Sequence, residues 1–231
     1  MKTKLESRID TIFNLYFAAP DAAPRHVSVL HLARRDAAQC FGYDPNTYSV
    51  SKNPKPIEDG RQILWPGAMT LFAGVDLLGK HFAGTDAEQT PAGTTPTDQW
   101  RYSSGGRLKK FIEIYLTNKA DEIETLYQLR CALDHSFALW ARRRSNNIVY
   151  SFTLDRSGAG TLLKIKTDAN GDKDAIVFLY DLHSMFEKAV LAFEPDYRRQ
   201  LENSAPAQKQ FEDLVDRYGF IGIATASTFG W

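Results

Sequence analysis

Arg130 and His135 stand five residues apart in the run Leu126-Tyr127-Gln128-Leu129-Arg130-Cys131-Ala132-Leu133-Asp134-His135-Ser136. Histidine titrates near neutrality, so it can take or give a proton at physiological pH. Arginine stays charged and offers a planar fork that matches phosphate oxygens. On a helix, five residues set the two directions roughly 140° apart. A long guanidinium can curl towards the imidazole, or two such helices can face each other across a dimer. Arg130 and Asp134, in contrast, are i,i+4 neighbours, and spacing alone favours an ordinary surface ion pair between them.

Other candidate chemistry is weaker. Asp168-Ala169-Asn170-Gly171-Asp172-Lys173-Asp174 has the look of a calcium loop. An EF-hand needs glycine at its sixth position and a bidentate glutamate at its twelfth, and these positions hold Lys173 and Leu179. The segment reads instead as a hairpin turn around Asn170-Gly171. No Walker loop or nucleophile elbow is present, and Ser103-Ser104-Gly105-Gly106 reads as a turn ahead of a helix. His26, His31 and His81 have no convincing partner in the sequence, and His183 reads as a surface or capping residue. Cys40 and Cys131 are far apart and lack metal-ligand spacing. No metal or cofactor is implied.

The elements that must position these residues are mostly helices. Leu5, Ile9, Ile12, Phe13, Tyr16 and Phe17 recur at helical spacing between Leu5 and Ala18. A second helix is expected over Val27 to Cys40. Trp65-Pro66-Gly67 opens a nearly all-apolar helix, Ala68 to Phe82, which suits a central position and carries one embedded acid, Asp76. Arg107 to Leu116 and a helix from about Asp121 to Arg143 follow. Between them, Gly42–Gly60 and Gly84–Gly106 read as long loops, the latter with Trp100 and Tyr102 as docking points. Residues 148–154 and 162–166 then look like strands around the Ser157-Gly158-Ala159-Gly160 turn, with 175–179 as a third. Asp181 is placed to cap a helix from Leu182 to about Leu201, and a last helix spans Ala207 to Tyr218. The architecture expected is mainly α with a small antiparallel β insert.

Composition excludes several classes. The 231 residues are 43% hydrophobic and 24% charged, which is ordinary for a globular chain. Lys plus Arg equals Asp plus Glu at 28 each, so a nucleic acid would have to be met by a local basic patch. There is no secretory h-region, and the most apolar stretch, 64–82, is too interrupted for a membrane span. A cytoplasmic protein with no membrane partner is expected.

The pattern Tyr127-x-Leu129-Arg130-x3-Asp134-His135-Ser136 near a helix end resembles the R-x4-6-H motif of the HEPN superfamily. The earlier apolar helix with its acid, Ala73-Gly74-Val75-Asp76-Leu77-Leu78, and the basic-aromatic helix after it fit the same pattern. The resemblance is best over about residues 60–145. It implies one HEPN-like helical bundle over 1–231, with a helical part to 145, a β insert over about 148–179 and C-terminal helices over about 181–218. It also implies a homodimer with its motifs at a shared cleft and, in many members, metal-independent endoribonuclease activity in defence or toxin–antitoxin systems. His135 would then move a proton at a ribose 2′-hydroxyl or the leaving oxygen, and Arg130 would hold the phosphate, leaving a 2′,3′-cyclic phosphate. Asp134 and Tyr127 belong to the motif, and Asp76 either orients the arginine or histidine or is a paired structural acid. Arg142, Arg143, Arg144, Arg107, Lys109 and Lys110 would bind RNA phosphates, although such runs also serve as solvated faces. Cys131, where the family typically has a polar residue, keeps a second reading open. In that reading the chain is a non-catalytic interaction or regulatory module, such as an antitoxin-like or nucleotide-binding partner.

Overall fold

A computed structural model describes residues 4–19, 26–43, 64–81, 104–136, 138–203 and 205–222. The element order is α1 (Lys4–Tyr16), β1 (His26–Ser28), α2 (Val29–Cys40), α3 (Leu64–His81), α4 (Ser104–Tyr115), α5 (Ala120–Ser136), β2 (Trp140–Arg142), β3 (Val149–Asp155), β4 (Leu163–Thr167), β5 (Lys173–Phe178), α6 (Leu179–Asn203), α7 (Ala205–Tyr218) and β6 (Phe220–Gly222). The protein is mainly helical, as its apolar periodicity predicts. Most of the two expected loops, 44–60 and 84–103 with Trp100 and Tyr102, lies outside the described residues.

α3 is the central helix. Its buried face runs through Ala68, Leu71, Phe72, Val75, Leu77 and Leu78. Pro66 sits in its first turn, where a missing N–H leaves no hydrogen bond unmade. Gly74 lets α2 and α6 close in, because a Cβ there would meet Phe186 Cζ at 2.7 Å and Ala33 Cβ at 3.5 Å. Ser28 ties the N-terminal part together. Its hydroxyl accepts the His31 N–H at 2.9 Å as the α2 N-cap and donates to the Tyr16 carbonyl at 2.7 Å. The buried cluster is continuous from Ile9 on α1 to Val215 on α7. Among the described residues, no helix is long and apolar enough to cross a membrane.

The sheet departs from expectation. β2, β3, β5 and β4 lie side by side in that order, and β3 pairs with β5 in parallel, so the insert is mixed rather than antiparallel. The 156–162 connection leads β3 not into a tight hairpin but into a wide one, and β5 fills its gap. The Asn170-Gly171 turn closes the antiparallel β4–β5 pair. There the Asp168 carboxylate accepts the N–H groups of Asn170 and Asp172 at 2.8 and 2.9 Å, and Gly171 takes φ +86°. The acidic segment is thus occupied in holding its own turn.

Helix boundaries also move: α4 begins at Ser104 instead of Arg107, so Gly105 and Gly106, expected in a turn, lie in its first turn. The motif helix stops at Ser136 instead of running to Arg143, because residues 140–142 pair with β3, Trp140 opposite Ser151. The cross-strand partner outweighs the helix-forming character of Ala-Leu-Trp-Ala-Arg. α6 begins at Leu179, so Asp181 lies inside its first turn rather than capping it. Its carboxylate accepts the N–H groups of Ala159 and Gly160 at 2.6 and 3.1 Å and pins the wide hairpin to the helix. A short pair of strands, β1 with β6, joins the N-terminal part to the segment after α7.

Candidate functional site

α5 divides its residues among three environments. Thr125, Leu126, Leu129, Ala132 and Leu133 are buried and fix the helix to the core. Arg130 and Asp134 form a second stripe, one turn apart. Glu124, Tyr127, Gln128 and Cys131 form a third, at i, i+3, i+4 and i+7, and wall a cleft. At the start of the helix, Asp121 accepts the Lys173 ammonium at 2.9 Å from its place in the first turn, where an acid also suits the helix dipole.

The second stripe meets α3. The Arg130 guanidinium reaches Asp76 at 3.2 Å through Nη2 and Asp134 at 3.0 Å through Nε. The i,i+4 pair expected from spacing and the contact expected from the neighbouring helix are therefore made by one guanidinium. Burial works against the Arg130 charge, but Asp76 and then Asp134 outweigh it and raise its pKa. The three side chains remain 18%, 21% and 23% exposed, so the cluster is only partly sealed. Arg107 approaches Asp76 from α4. Burial lowers its pKa and Asp76 acts against that fall. His135 lies in the last turn of α5, and its side chain is outside the described residues.

The third stripe faces β2 and the turn after it across a cleft of about 810 Å³. Among the described residues, Lys109, Arg142, Arg143 and Arg144 line this cleft against one acid, Glu124. Glu124 gathers the Lys109 ammonium at 2.6 Å, the Gln128 amide at 2.8 Å and Arg143 Nε at 3.4 Å. Burial alone would raise its pKa, but hydrogen bonds from Lys109 and Gln128 hold it below the usual value. Lys109 lies over the Tyr127 ring, 4.3 Å from its centroid. Burial, then the Cys131 thiol, raises the Tyr127 pKa.

Of the six basic residues proposed for RNA, Lys109, Arg142, Arg143 and Arg144 share the cleft. Arg107 and Lys110 do not line it. Arg107 belongs with Asp76, and Lys110 pairs with Glu113 at 3.0 Å on the surface. Sequence reasoning passed over Glu124, Gln128 and Trp140, which also line the cleft. The i,i+4 spacing of Glu124 and Gln128 was a readable signal. The alternation of Trp140 and Arg142 was not, since it becomes meaningful only in a strand.

His31, His81 and His183 are buried away from this site. His183 is buried, not a surface cap. It stacks on Tyr43 at 5.1 Å and meets Phe41 edge-on, and burial lowers its pKa to about 4. His81 has partners the sequence did not suggest: its Nε2 shares a hydrogen bond with the Tyr16 hydroxyl at 2.7 Å, and Tyr197 approaches Nδ1 at 3.5 Å. Burial lowers its pKa to about 3. His31 is buried on α2, and the side chain of His26 lies outside the described residues.

This arrangement can hold an anion beside aromatic rings, and it presents a charged arginine on the same helix turn as the cleft wall. Comparison with family models, curated proteins and solved structures finds no match to this chain.

Proposed function

We propose that the protein is a metal-independent endoribonuclease of HEPN type. In this reading Arg130 and His135 are its catalytic residues and the α5–β2 cleft is its RNA groove. The observation that carries the reading is the position of Arg130. It is charged, partly exposed and oriented by Asp76 from α3, and the adjacent stripe of its own helix walls a cleft lined by four cations. His135 removes the proton of a ribose 2′-hydroxyl, the 2′-oxygen bonds to phosphorus, and the P–O5′ bond breaks. The 5′-oxygen takes a proton from water as it leaves, the hydroxide formed recovers the proton from His135, and the products are a 2′,3′-cyclic phosphate and a 5′-hydroxyl end. Arg130 stabilises the charge that builds on the non-bridging oxygens. A homodimer would bring two motif helices to a common groove.

The test is cleavage of RNA in excess EDTA. Wild-type protein should cut and His135→Ala should not, and persistent cutting by the variant would sink the assignment. One observation favours a second reading, a non-catalytic interaction or regulatory module. Two carboxylates already engage the Arg130 guanidinium, which leaves less of its charge for a phosphate. RNA bound yet uncut over a wide range of protein concentration, with a stable complex to a regulatory protein, would favour that module.

A further inference from the structure

We propose that Trp140 is a base-stacking platform, with Arg142 and Arg144 holding the phosphates beside it, so that the cleft selects an unpaired nucleotide over a duplex. This rests on the reading that the cleft takes RNA, and adds which residue sorts one RNA from another. Trp140 is a large apolar side chain, 48% exposed at the wall of a cationic cleft. It lies on β2, an edge strand of the sheet, where alternate residues share a side. Arg142 is therefore its same-side neighbour, with the guanidinium over the indole ring, 5.5 Å from its centroid, so a base would displace the guanidinium from that face or stack on the opposite one. A phosphate donor thus stands beside the ring.

The other aromatic and the other cations of the cleft are already engaged. Lys109 covers the Tyr127 ring, and Glu124 holds both Lys109 and Arg143. The exposed Arg142, which the indole holds without neutralising its charge, and the exposed Arg144 remain for the backbone of a ligand. A base stacks on an aromatic ring only when its own face is free, as in single strands, loops and bulges. A duplex keeps its base faces inside and could offer this cleft only phosphates.

The test measures binding apart from cleavage. A 2′-O-methyl oligoribonucleotide lacks the attacking hydroxyl, and its affinity is read by fluorescence anisotropy, single-stranded and annealed to its complement. Wild-type protein should prefer the single strand. Trp140→Ala should lose roughly tenfold or more of that affinity, whereas Trp140→Phe, which keeps a stacking face, should retain most of it. Equal affinity for strand and duplex, or unchanged single-strand affinity in Trp140→Ala, would overturn the proposal. Circular dichroism of both variants checks that the fold is kept. Trp140-dependent binding of an RNA that is never cut leaves the stacking platform standing and removes only the nuclease reading.

Discussion

The arginine–carboxylate clusters at Arg34 and Arg130 share their chemistry and behave differently in the fold. Arg34 on α2 meets Glu187 on α6 through Nε at 3.2 and 3.1 Å and through Nη2 at 2.6 Å, and its Nη1 donates to the carbonyls of Phe17 and Ala18 at 3.4 and 3.1 Å. That pair is 2% and 5% exposed, with its guanidinium used up inside the core. Arg130 also faces carboxylates, but it stays partly open to solvent beside a cationic cleft. Burial therefore separates an arginine that holds the fold from one that solvent, and in the proposed function a phosphate, can reach.

The sharpest way to break this contrast is to remove one partner from each cluster. Glu187→Ala strands a buried guanidinium and should cost about 3–5 kcal/mol in urea unfolding. Loss of less than half of that would mean the pair is better solvated than its burial indicates. Arg130→Ala should cost only about 1 kcal/mol in stability, as exposed and half-exposed pairs do. Yet it should slow RNA cleavage roughly 100-fold or more if the guanidinium carries transition-state charge. A variant that loses stability and keeps its cleavage rate would return Arg130 to the structural class.

Acid sharpens the same comparison. His183 lies between Tyr43 and Phe41, near Glu187 and Arg34, and is held neutral with its pKa lowered from 6.5 to about 4. Between these values the unfolded chain binds a proton that the folded one refuses, so stability should fall as pH drops from 6.5 towards 4. The urea midpoint followed across that window should show the slope, and His183→Gln should reduce it, the remainder coming from His81, whose pKa is lowered to about 3. The smallest effect is expected at the cleft rim. Arg144→Ala should leave stability within about 0.5 kcal/mol. The same change should lower the salt dependence of RNA binding by about one unit of slope.

Much of the helical frame was legible in the sequence, because apolar residues at helical spacing have to be buried on one face. α1, α3 and α7 end within a few residues of where Ala18, Phe82 and Tyr218 suggest. The β4–β5 turn was legible too, since Asn170-Gly171 is a strong turn signal and Gly171 takes the left-handed backbone that glycine tolerates. The end of α5 was not. Nothing local in Ala138 to Arg143 disfavours a helix, and the strand exists because β3 lies beside it. With the helix misread, Trp140 and Arg142 could not be seen as neighbours on one side.

The candidate site divides in the same way. The sequence by itself determined that Arg130, Asp134 and His135 share the last turns of one helix, because helical spacing is a local property of the chain. It also determined that any nucleic acid would have to meet a local basic patch, because the total charge is balanced. Only the tertiary structure decided that Asp76 closes on Arg130, that Lys109 and Arg142–Arg144 share a cleft while Arg107 and Lys110 do not, and that His81 and His183 lie inside the core. Those outcomes depend on which helix and strand faces pack together, and contacts between distant segments leave no periodic trace in the chain.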